Sequence, residues 1–260
     1  MLTGKTALVT GSTSGIGAAV ARSLAQAGAN VMLNGLGDAA AIEAQRAALE
    51  KEFKVEVAYS PADMTKPDQI AAMVREAEKR FGSVDVLVNN AGIQHVSPIE
   101  NFPVEKWDAV IAINLSSAFH SIRAAVAGMK ARKWGRIINI ASAHGLVASA
   151  EKVAYVASKH GIIGLTKVVA IETANHGVTC NAICPGWVLT PLVEKQITAR
   201  ADASGKPIES EKIALLSEKQ PMHSFSTPES IGALAVFLCS DAAATMTGSA
   251  YPIDGGWTAI

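Results

Sequence analysis

The sequence predicts an α/β domain in which a doubly wound parallel sheet of seven strands carries helices on both faces. Short apolar runs alternate with longer helical patterns along the 260 residues, which is typical of repeated βα units. A glycine-rich turn follows the first apolar run, as expected for a ligand-binding sheet of this class. The predicted strands are residues 5–10, 30–34, 55–60, 84–88, 135–141, 178–184 and 249–253.

The first predicted strand leads directly into a glycine-rich turn that contains Gly11, Gly15 and Gly17. Glycines permit a tight turn and let the backbone approach a pyrophosphate, while the helix start that follows presents free N–H groups. The spacing Gly-x-x-x-Gly-x-Gly differs from the common GxGxxG, and a purely structural strand-to-helix turn is the alternative. We favour a phosphate-binding loop.

Polar and turn residues follow the later strands at their carboxyl ends, where ligands bind in a parallel sheet. We therefore expect these residues to converge on one crevice. They are Asp63 after the third strand, Asn90 after the fourth, Ser142 after the fifth and Pro185-Gly186 after the sixth.

The segment 191–221 interrupts the βα pattern with polar, weakly periodic helical sequence. It would form a small helical lid over the substrate. The alternative is a peripheral helical segment that has no closing role. No linker, charge block or low-complexity run divides the chain, so we predict one domain over residues 1–260.

Composition narrows the class of protein. The 23 basic residues balance 23 acidic ones, so no net field favours nucleic acid or an anionic membrane. The N-terminal sequence has no pattern of a secretion signal, and we expect no membrane-spanning helix. Cys180, Cys184 and Cys239 are odd in number and lie in apolar sequence, which predicts no disulfide framework, no metal site and a cytoplasmic location.

Tyr155 and Lys159 are spaced so that a helix would place both side chains on one face. An unperturbed phenol has a pKa of about 10, and lowering it by about 3 units takes about 4 kcal/mol of preferential stabilisation of the phenolate. A neighbouring ammonium acts in that direction. Alone, such a pair more often marks an amphipathic helix with a solvated lysine.

Taken in order, the motifs resemble the classical short-chain dehydrogenase/reductase family over nearly the whole chain. The resemblance implies a Rossmann-like fold, hydride transfer between a secondary alcohol carbon and a nicotinamide, and a homotetramer. The motifs are Thr10-Gly11-x-x-x-Gly15-Ile16-Gly17, Asn89-Asn90-Ala91-Gly92, Asn114, Ser142, Tyr155-x-x-x-Lys159 and Pro185-Gly186.

The resemblance implies catalytic roles for four residues. Tyr155 would be the general base in oxidation and the acid in reduction, with Lys159 lowering its pKa and holding the nicotinamide ribose. Ser142 would bond the reacting oxygen. Asn114 would position a water for proton relay, and an asparagine bonded to its own helix backbone is the alternative.

NAD is favoured over NADP because no arginine or lysine follows the second strand, where the adenosine ribose lies in this fold. The usual acidic residue is missing there unless Asp38 folds back, and Leu36 would pack on adenine or ribose. Asp63 would contact adenine, or else cap a helix. The implied cofactor-binding residues are Gly11, Thr13, Ser14, Gly15, Ile16, Gly17, Leu36, Asp63, Asn90, Gly92, Tyr155, Lys159, Pro185, Gly186, Val188 and Thr190.

Several further residues are similar to those of the family members that oxidise D-3-hydroxybutyrate to acetoacetate. A lysine, a histidine and two glutamines would hold the substrate carboxylate, and two tryptophans would enclose its short carbon chain. The implied substrate-binding residues are Gln94, His144, Lys152, Trp187, Gln196 and Trp257.

Three other functions stay open at this stage. A 3-oxoacyl carrier-protein reductase would share the catalytic residues, but it would usually need a basic residue after the second strand for NADPH. A sugar or polyol dehydrogenase would not need the cationic pocket. A dinucleotide-sensing protein without catalysis would not need Ser142, Tyr155 and Lys159 together.

Overall fold

One parallel sheet organises the chain, with its strands in the order β3-β2-β1-β4-β5-β6-β7. The computed structural model describes the backbone of residues 1–260 and the side chains of residues 1–191 and 193–260. The order reverses between β1 and β4, which opens a crevice at their carboxyl ends. The strands are β1 Thr6–Val9, β2 Asn30–Asn34, β3 Val57–Ser60, β4 Val86–Asn89, β5 Gly135–Ile140, β6 Val178–Pro185 and β7 Ala250–Ile253.

Helices connect the strands and cover both faces of the sheet, which confirms the predicted fold class. All neighbouring strand pairs are parallel, so each connection crosses the sheet. The helices are α1 Gly15–Gln26, α2 Ala39–Phe53, α3 Pro67–Phe81, α4 Val104–Ile111, α5 Ser117–Arg132, α6 Val153–Thr173, α7 Pro191–Ser204, α8 Ile208–Ser217 and α9 Pro228–Leu238.

Local sequence explains where several helices begin and end. Proline starts α3, α7 and α9, because its missing N–H would have no partner in a first turn. Gly82 and Gly205 end α3 and α7 with positive φ, a conformation that glycine adopts without steric cost. Thr227 and Ser230 form a reciprocal capping box at α9.

The core has one layer on each side of the sheet. The sequence of β1 is continuously apolar because its residues pack alternately into both layers. Ala7 and Val9 pack with α1 and α9, while Leu8 packs with α3 and α5 on the opposite face. Each large aliphatic side chain buried in this way contributes roughly 1.5–3 kcal/mol. The two packed layers hold the strand ends in place around the crevice.

Residues Val104–Arg132 form a continuous helical run through α4, a π-helical turn at Ala112–Ser116, and α5. This run is long and apolar enough, by length and composition alone, to meet the criterion for a membrane span, which the sequence analysis did not anticipate. Ile122, Ala125 and Met129 pack into the core with α3 and the sheet. Core packing thus accounts for part of its apolar character, since 39% of the apolar window is buried.

The predicted lid segment contains two helices, α7 and α8, which an ion-pair network joins. Arg200 lies 3.3 Å from the Glu211 carboxylate and 2.8 Å from that of Glu218. Glu211 is buried and also accepts a hydrogen bond from the Ser204 hydroxyl at 2.8 Å. The lid is therefore an ordered helical pair, and its closing role remains a prediction.

Candidate active site

The glycine turn between β1 and α1 is built from positions that exclude side chains. Gly11 and Gly15 have φ of 62° and 54°, in the left-handed region. A Cβ atom at Gly17 would collide with the Gly11 carbonyl and the Asn90 amide. The side chain of Ser14, the N-cap residue of α1, makes no capping hydrogen bond. The helix start therefore presents backbone N–H groups, as a phosphate site requires.

Asn90 and Thr10 tie this turn to the end of β4. The Asn90 side-chain amide donates to the carbonyls of Thr10 and Gly11, both at 2.9 Å. The Thr10 hydroxyl accepts hydrogen bonds from the backbone N–H groups of Asn90 and Ala91 at 3.0 and 3.1 Å. These bonds cross the point where strand order reverses, so they hold the crevice in shape.

The end of β2 carries no basic side chain into the crevice among the residues described there. Leu36 lines the edge of the cavity and is 74% exposed, and the Thr13 hydroxyl donates to its carbonyl at 3.2 Å. Asp38 does not fold back, because its carboxylate caps α2 by accepting from the Ala41 N–H at 2.8 Å. Asn34 is occupied with loop backbone, accepting from the Gly11 N–H at 3.2 Å.

A single cavity of about 710 Å³ runs from the glycine turn to Trp257. It collects every predicted site residue except Asn114 and Asp63 among the side chains that the structure describes. The Asp63 carboxylate accepts from the Thr65 N–H and hydroxyl, both at 2.8 Å, so it forms a local turn. Its contact with adenine stays a prediction.

The cavity also has lining residues that the sequence analysis missed. Most of them are chain neighbours of motif residues and contribute backbone or apolar wall, so adjacency to a motif was the signal that could have identified them. They are Gly35, Ala91, Ile93, Val96, Ile140, Ala141, Pro191 and Val193.

Tyr155 and Lys159 lie one turn apart near the start of α6, and both line this cavity. The Lys159 Nζ donates to the Ile140 carbonyl at 2.8 Å and lies 5.6 Å from the centroid of the Tyr155 ring. Burial lowers the pKa of Lys159 to about 8. The predicted pairing of phenol and ammonium in one site is therefore present.

The net pKa of Tyr155 is raised in this structure, and the lowering by Lys159 that the sequence predicts stays a prediction. Burial raises the pKa of the phenol, and the neighbouring Ser142 hydroxyl acts in the opposite direction. The desolvation of Tyr155 outweighs the effect of the nearby polar groups. A phenol in this setting stays protonated at neutral pH unless further positive charge is present.

Asn114 lies in the π-helical turn, behind the cavity wall, and is buried. Its side chain accepts from the Ile93 N–H at 2.8 Å and donates to the Ile93 carbonyl at 2.9 Å and to the Ser158 hydroxyl at 3.3 Å. The asparagine thus bonds to a neighbouring loop rather than to its own helix. Its role in a water relay stays a prediction.

Aromatic rings enclose the other end of the cavity. The His144 ring packs edge-on against Tyr155 and Trp257, with centroid distances of 5.8 and 4.9 Å. Trp187 stacks on Trp257 at 6.2 Å. Burial, with help from the positive charge of Lys152, lowers the pKa of His144 to about 4, so this imidazole is neutral at pH 7.

Lys152 provides the cationic group at this end, 5.8 Å from the Trp187 ring. Burial and the nearby Lys219 lower its pKa, while Glu218 raises it. Glu218 and Lys219 follow α8. Their effect on Lys152 could not be predicted from sequence, because only the folded lid brings them close to it. Gln94 and Gln196 line the same cavity, so their amides are available to an anion held by the Lys152 ammonium.

Comparisons with known proteins agree with this geometry. A family model described as enoyl-(acyl carrier protein) reductase matches residues 11–258. The chain is 60% identical over 259 residues to D-beta-hydroxybutyrate dehydrogenase of Cupriavidus necator, covering 100% of both chains. It is 56% identical to the protein of the same name from Rhizobium meliloti, covering 98% of this chain and 99% of that one.

The fold also matches a solved structure closely. A putative short-chain alcohol dehydrogenase from Sinorhizobium meliloti superimposes with a TM-score of 0.87 at 36% identity, covering 99% of this chain and 98% of that one.

The buried His144 predicts a pH dependence of stability. Its pKa is lowered from 6.5 to about 4, so as pH falls through this window the unfolded chain binds a proton that the folded protein does not. The free energy of unfolding should therefore fall as pH falls from 6.5 to 4. His144→Gln should make that slope shallower, by at most about 1.4 kcal/mol per pH unit for one proton.

Urea unfolding at several pH values measures this slope. The exposed His176, changed to Gln in the same way, is the matched control and should leave the slope unchanged. Equal slopes for wild type and His144→Gln would contradict the prediction.

Proposed function

This chain belongs to the short-chain dehydrogenase/reductase family, and we propose that it oxidises D-3-hydroxybutyrate reversibly to acetoacetate with NAD. One observation carries the proposal: Ser142, Tyr155 and Lys159 share a single cavity with a cationic end that tryptophans enclose. The full-length identity to proteins named D-beta-hydroxybutyrate dehydrogenase supports it.

The residues present fit a nicotinamide dinucleotide. The α1 N-terminus and the close backbone approach at Gly17 suit a pyrophosphate. Pro185, Gly186 and Thr190 line the same cavity as Lys159 and would hold the nicotinamide end. When bound, the cofactor supplies the hydride acceptor for the alcohol carbon.

NAD rather than NADP is favoured by the adenosine end of the cavity. Leu36 occupies that edge, and Asp38 is directed toward α2. A 2′-phosphate would need a cationic partner there, whereas the lysines among the described lining residues, Lys152 and Lys159, lie near the rings of Trp187 and Tyr155.

Tyr155 is the group that moves the proton. Its phenol takes the hydroxyl proton during oxidation and returns it during reduction, while the Ser142 hydroxyl holds the reacting oxygen. Because burial raises the pKa of Tyr155, the protein favours the protonated acid that reduction requires. Oxidation requires the phenolate, which the charges of Lys159 and of oxidised nicotinamide would stabilise.

The cavity's aromatic end accounts for the substrate class. A carboxylate would bond the Lys152 ammonium and the amides of Gln94 and Gln196, while neutral His144 serves as a polar wall. Trp187 and Trp257 leave room for a short carbon chain and exclude water. The α7–α8 lid would close over this end.

The exposed apolar residues are consistent with a homotetramer, and the free thiols are consistent with a cytoplasmic location. Trp107 and Phe119 on α4 and α5, and Val168 and Ile171 on α6, are exposed large apolar residues. Such faces favour helix pairing between subunits. The three cysteines are buried and free, as a reducing compartment allows.

The first test is the reduction of NAD and NADP by the purified protein with D- or L-3-hydroxybutyrate. We expect reduction of NAD with the D enantiomer alone, followed by absorbance of the reduced cofactor. Tyr155→Phe should lower the rate by a factor of about 10² to 10⁴ without weakening NAD binding, because it removes the base. If the wild type reduced neither cofactor with either enantiomer, the proposal would be overturned.

Lys152→Met should weaken substrate binding selectively. Loss of a charge-assisted bond to the carboxylate, worth roughly 1.5–3 kcal/mol, should raise KM for D-3-hydroxybutyrate about 10- to 100-fold. KM for NAD should stay nearly unchanged. Lys51→Met on the exposed side of α2 is the matched control, and the same KM in both variants would contradict a carboxylate contact.

Light scattering should give the wild type a mass about four times the 27.0 kDa of one chain. Ile171→Glu places a charge on the α6 face and should lower that mass. Ile213→Glu, on the exposed side of α8, is the control and should not change it. A wild-type mass of one chain would exclude the tetramer.

A further inference from the structure

Gln220 is a buried amide at the place where the lid returns to the sheet, just after α8. Only 1% of the residue is exposed. Its Oε1 accepts a hydrogen bond from the backbone N–H of Trp187 at 2.7 Å, and its Nε2 donates to the Ser224 carbonyl at 3.0 Å. One side chain therefore joins the lid's return segment to the wall of the substrate cavity.

The space around this amide is made by two glycines. A Cβ atom at Gly186 would lie 2.5 Å from the Gln220 Oε1, and one at Gly255 would lie 2.8 Å from its Nε2. Gly186 directly precedes Trp187, and Gly255 lies two residues before Trp257. The amide is thus enclosed by the two segments that carry the stacked tryptophans.

The chemistry of the site suits glutamine in particular. The Trp187 N–H needs an acceptor and the Ser224 carbonyl needs a donor, and an amide supplies both from one end. The Trp187 carbonyl accepts from the Ser226 backbone N–H at 3.0 Å. Gln220 is therefore the side chain whose substitution would leave the partly buried Trp187 N–H without its hydrogen-bond partner.

The position of Trp187 affects two other groups at the substrate end. Its ring lies 6.2 Å from that of Trp257, and the Lys152 Nζ lies 5.8 Å from its centroid. We propose that Gln220 is a positioning residue, which holds Trp187 against Trp257 and near Lys152 and thereby sets the affinity for the 3-hydroxy acid. This inference rests on the proposed function.

Steady-state kinetics of Gln220→Leu tests the proposal. The variant should raise KM for D-3-hydroxybutyrate at least about tenfold, while KM for NAD changes less than about twofold. Gln220→Glu keeps the acceptor for Trp187 but loses the donor to Ser224 when ionised, so its KM should lie between those of the wild type and Gln220→Leu.

Asn181→Leu is the matched control for lost stability. Asn181 is also a buried amide that ties a loop to the sheet, donating to the Met246 carbonyl at 2.6 Å and accepting from the Ser249 N–H at 3.2 Å. It should lower Tm while KM for the 3-hydroxy acid stays within about twofold. A similar rise of KM in both variants would reduce Gln220 to a structural residue and overturn the proposal.

A measurement without substrate separates this inference from the proposed function. In protein labelled with 5-fluorotryptophan, Gln220→Leu should shift or broaden the ¹⁹F resonances of Trp187 and Trp257 and leave those of Trp107 and Trp134 in place. An unchanged Trp187 resonance would overturn the positioning role. If the wild type did not oxidise D-3-hydroxybutyrate, the proposed function would be overturned. The ¹⁹F resonances would still decide whether Gln220 positions Trp187.

Discussion

The hydrogen bonds that join the ends of β1 and β4 are the constraint on which the site depends. The Asn90 amide and the Thr10 hydroxyl between them bond four backbone groups across the point where strand order reverses. A side chain at Gly17 would collide with the Gly11 carbonyl and the Asn90 amide, which form one of these hydrogen bonds. Because the glycine turn, the α1 N-terminus and the wall after β4 meet here, these few partly buried hydrogen bonds hold their mutual distances.

Desolvation is the common physical effect at the reaction centre. It lowers the pKa values of Lys159 and His144 and raises that of Tyr155, so each group is biased toward its neutral form. A charge that enters the cavity would act on these desolvated groups more strongly than it would in bulk water. Oxidised nicotinamide would therefore have a large effect on Tyr155, which links cofactor binding to the availability of the base.

The lid segment and the C-terminal segment both contribute to the aromatic end of the cavity. Trp187 follows β6 and Trp257 follows β7, yet their rings stack, and Lys152 reaches the same place from the start of α6. Glu218 and Lys219 add charges from the end of α8 that act on Lys152. The composition of the aromatic end thus depends on several loops, while Ser142 directly follows the β5 end of the sheet and Tyr155 and Lys159 lie on α6.

Features that depend on local pattern could be predicted from the amino-acid sequence alone. The strands, the glycine turn, the lid segment and the common helix face of Tyr155 and Lys159 all follow from periodicities and turn residues within short windows. The tertiary structure decided which partners the polar side chains find. Asp38 caps its own helix, Asn114 bonds the Ile93 backbone, and Gln220 reaches Trp187.

The same division explains the pKa values. The sequence placed an ammonium one turn from Tyr155, but the direction of the phenol's pKa depends on how completely neighbouring elements exclude water. Burial is a property of the whole packed chain, and residues far apart in sequence contribute to it. Local spacing therefore identifies which groups can react, whereas only the assembled fold decides their protonation and their hydrogen-bond partners.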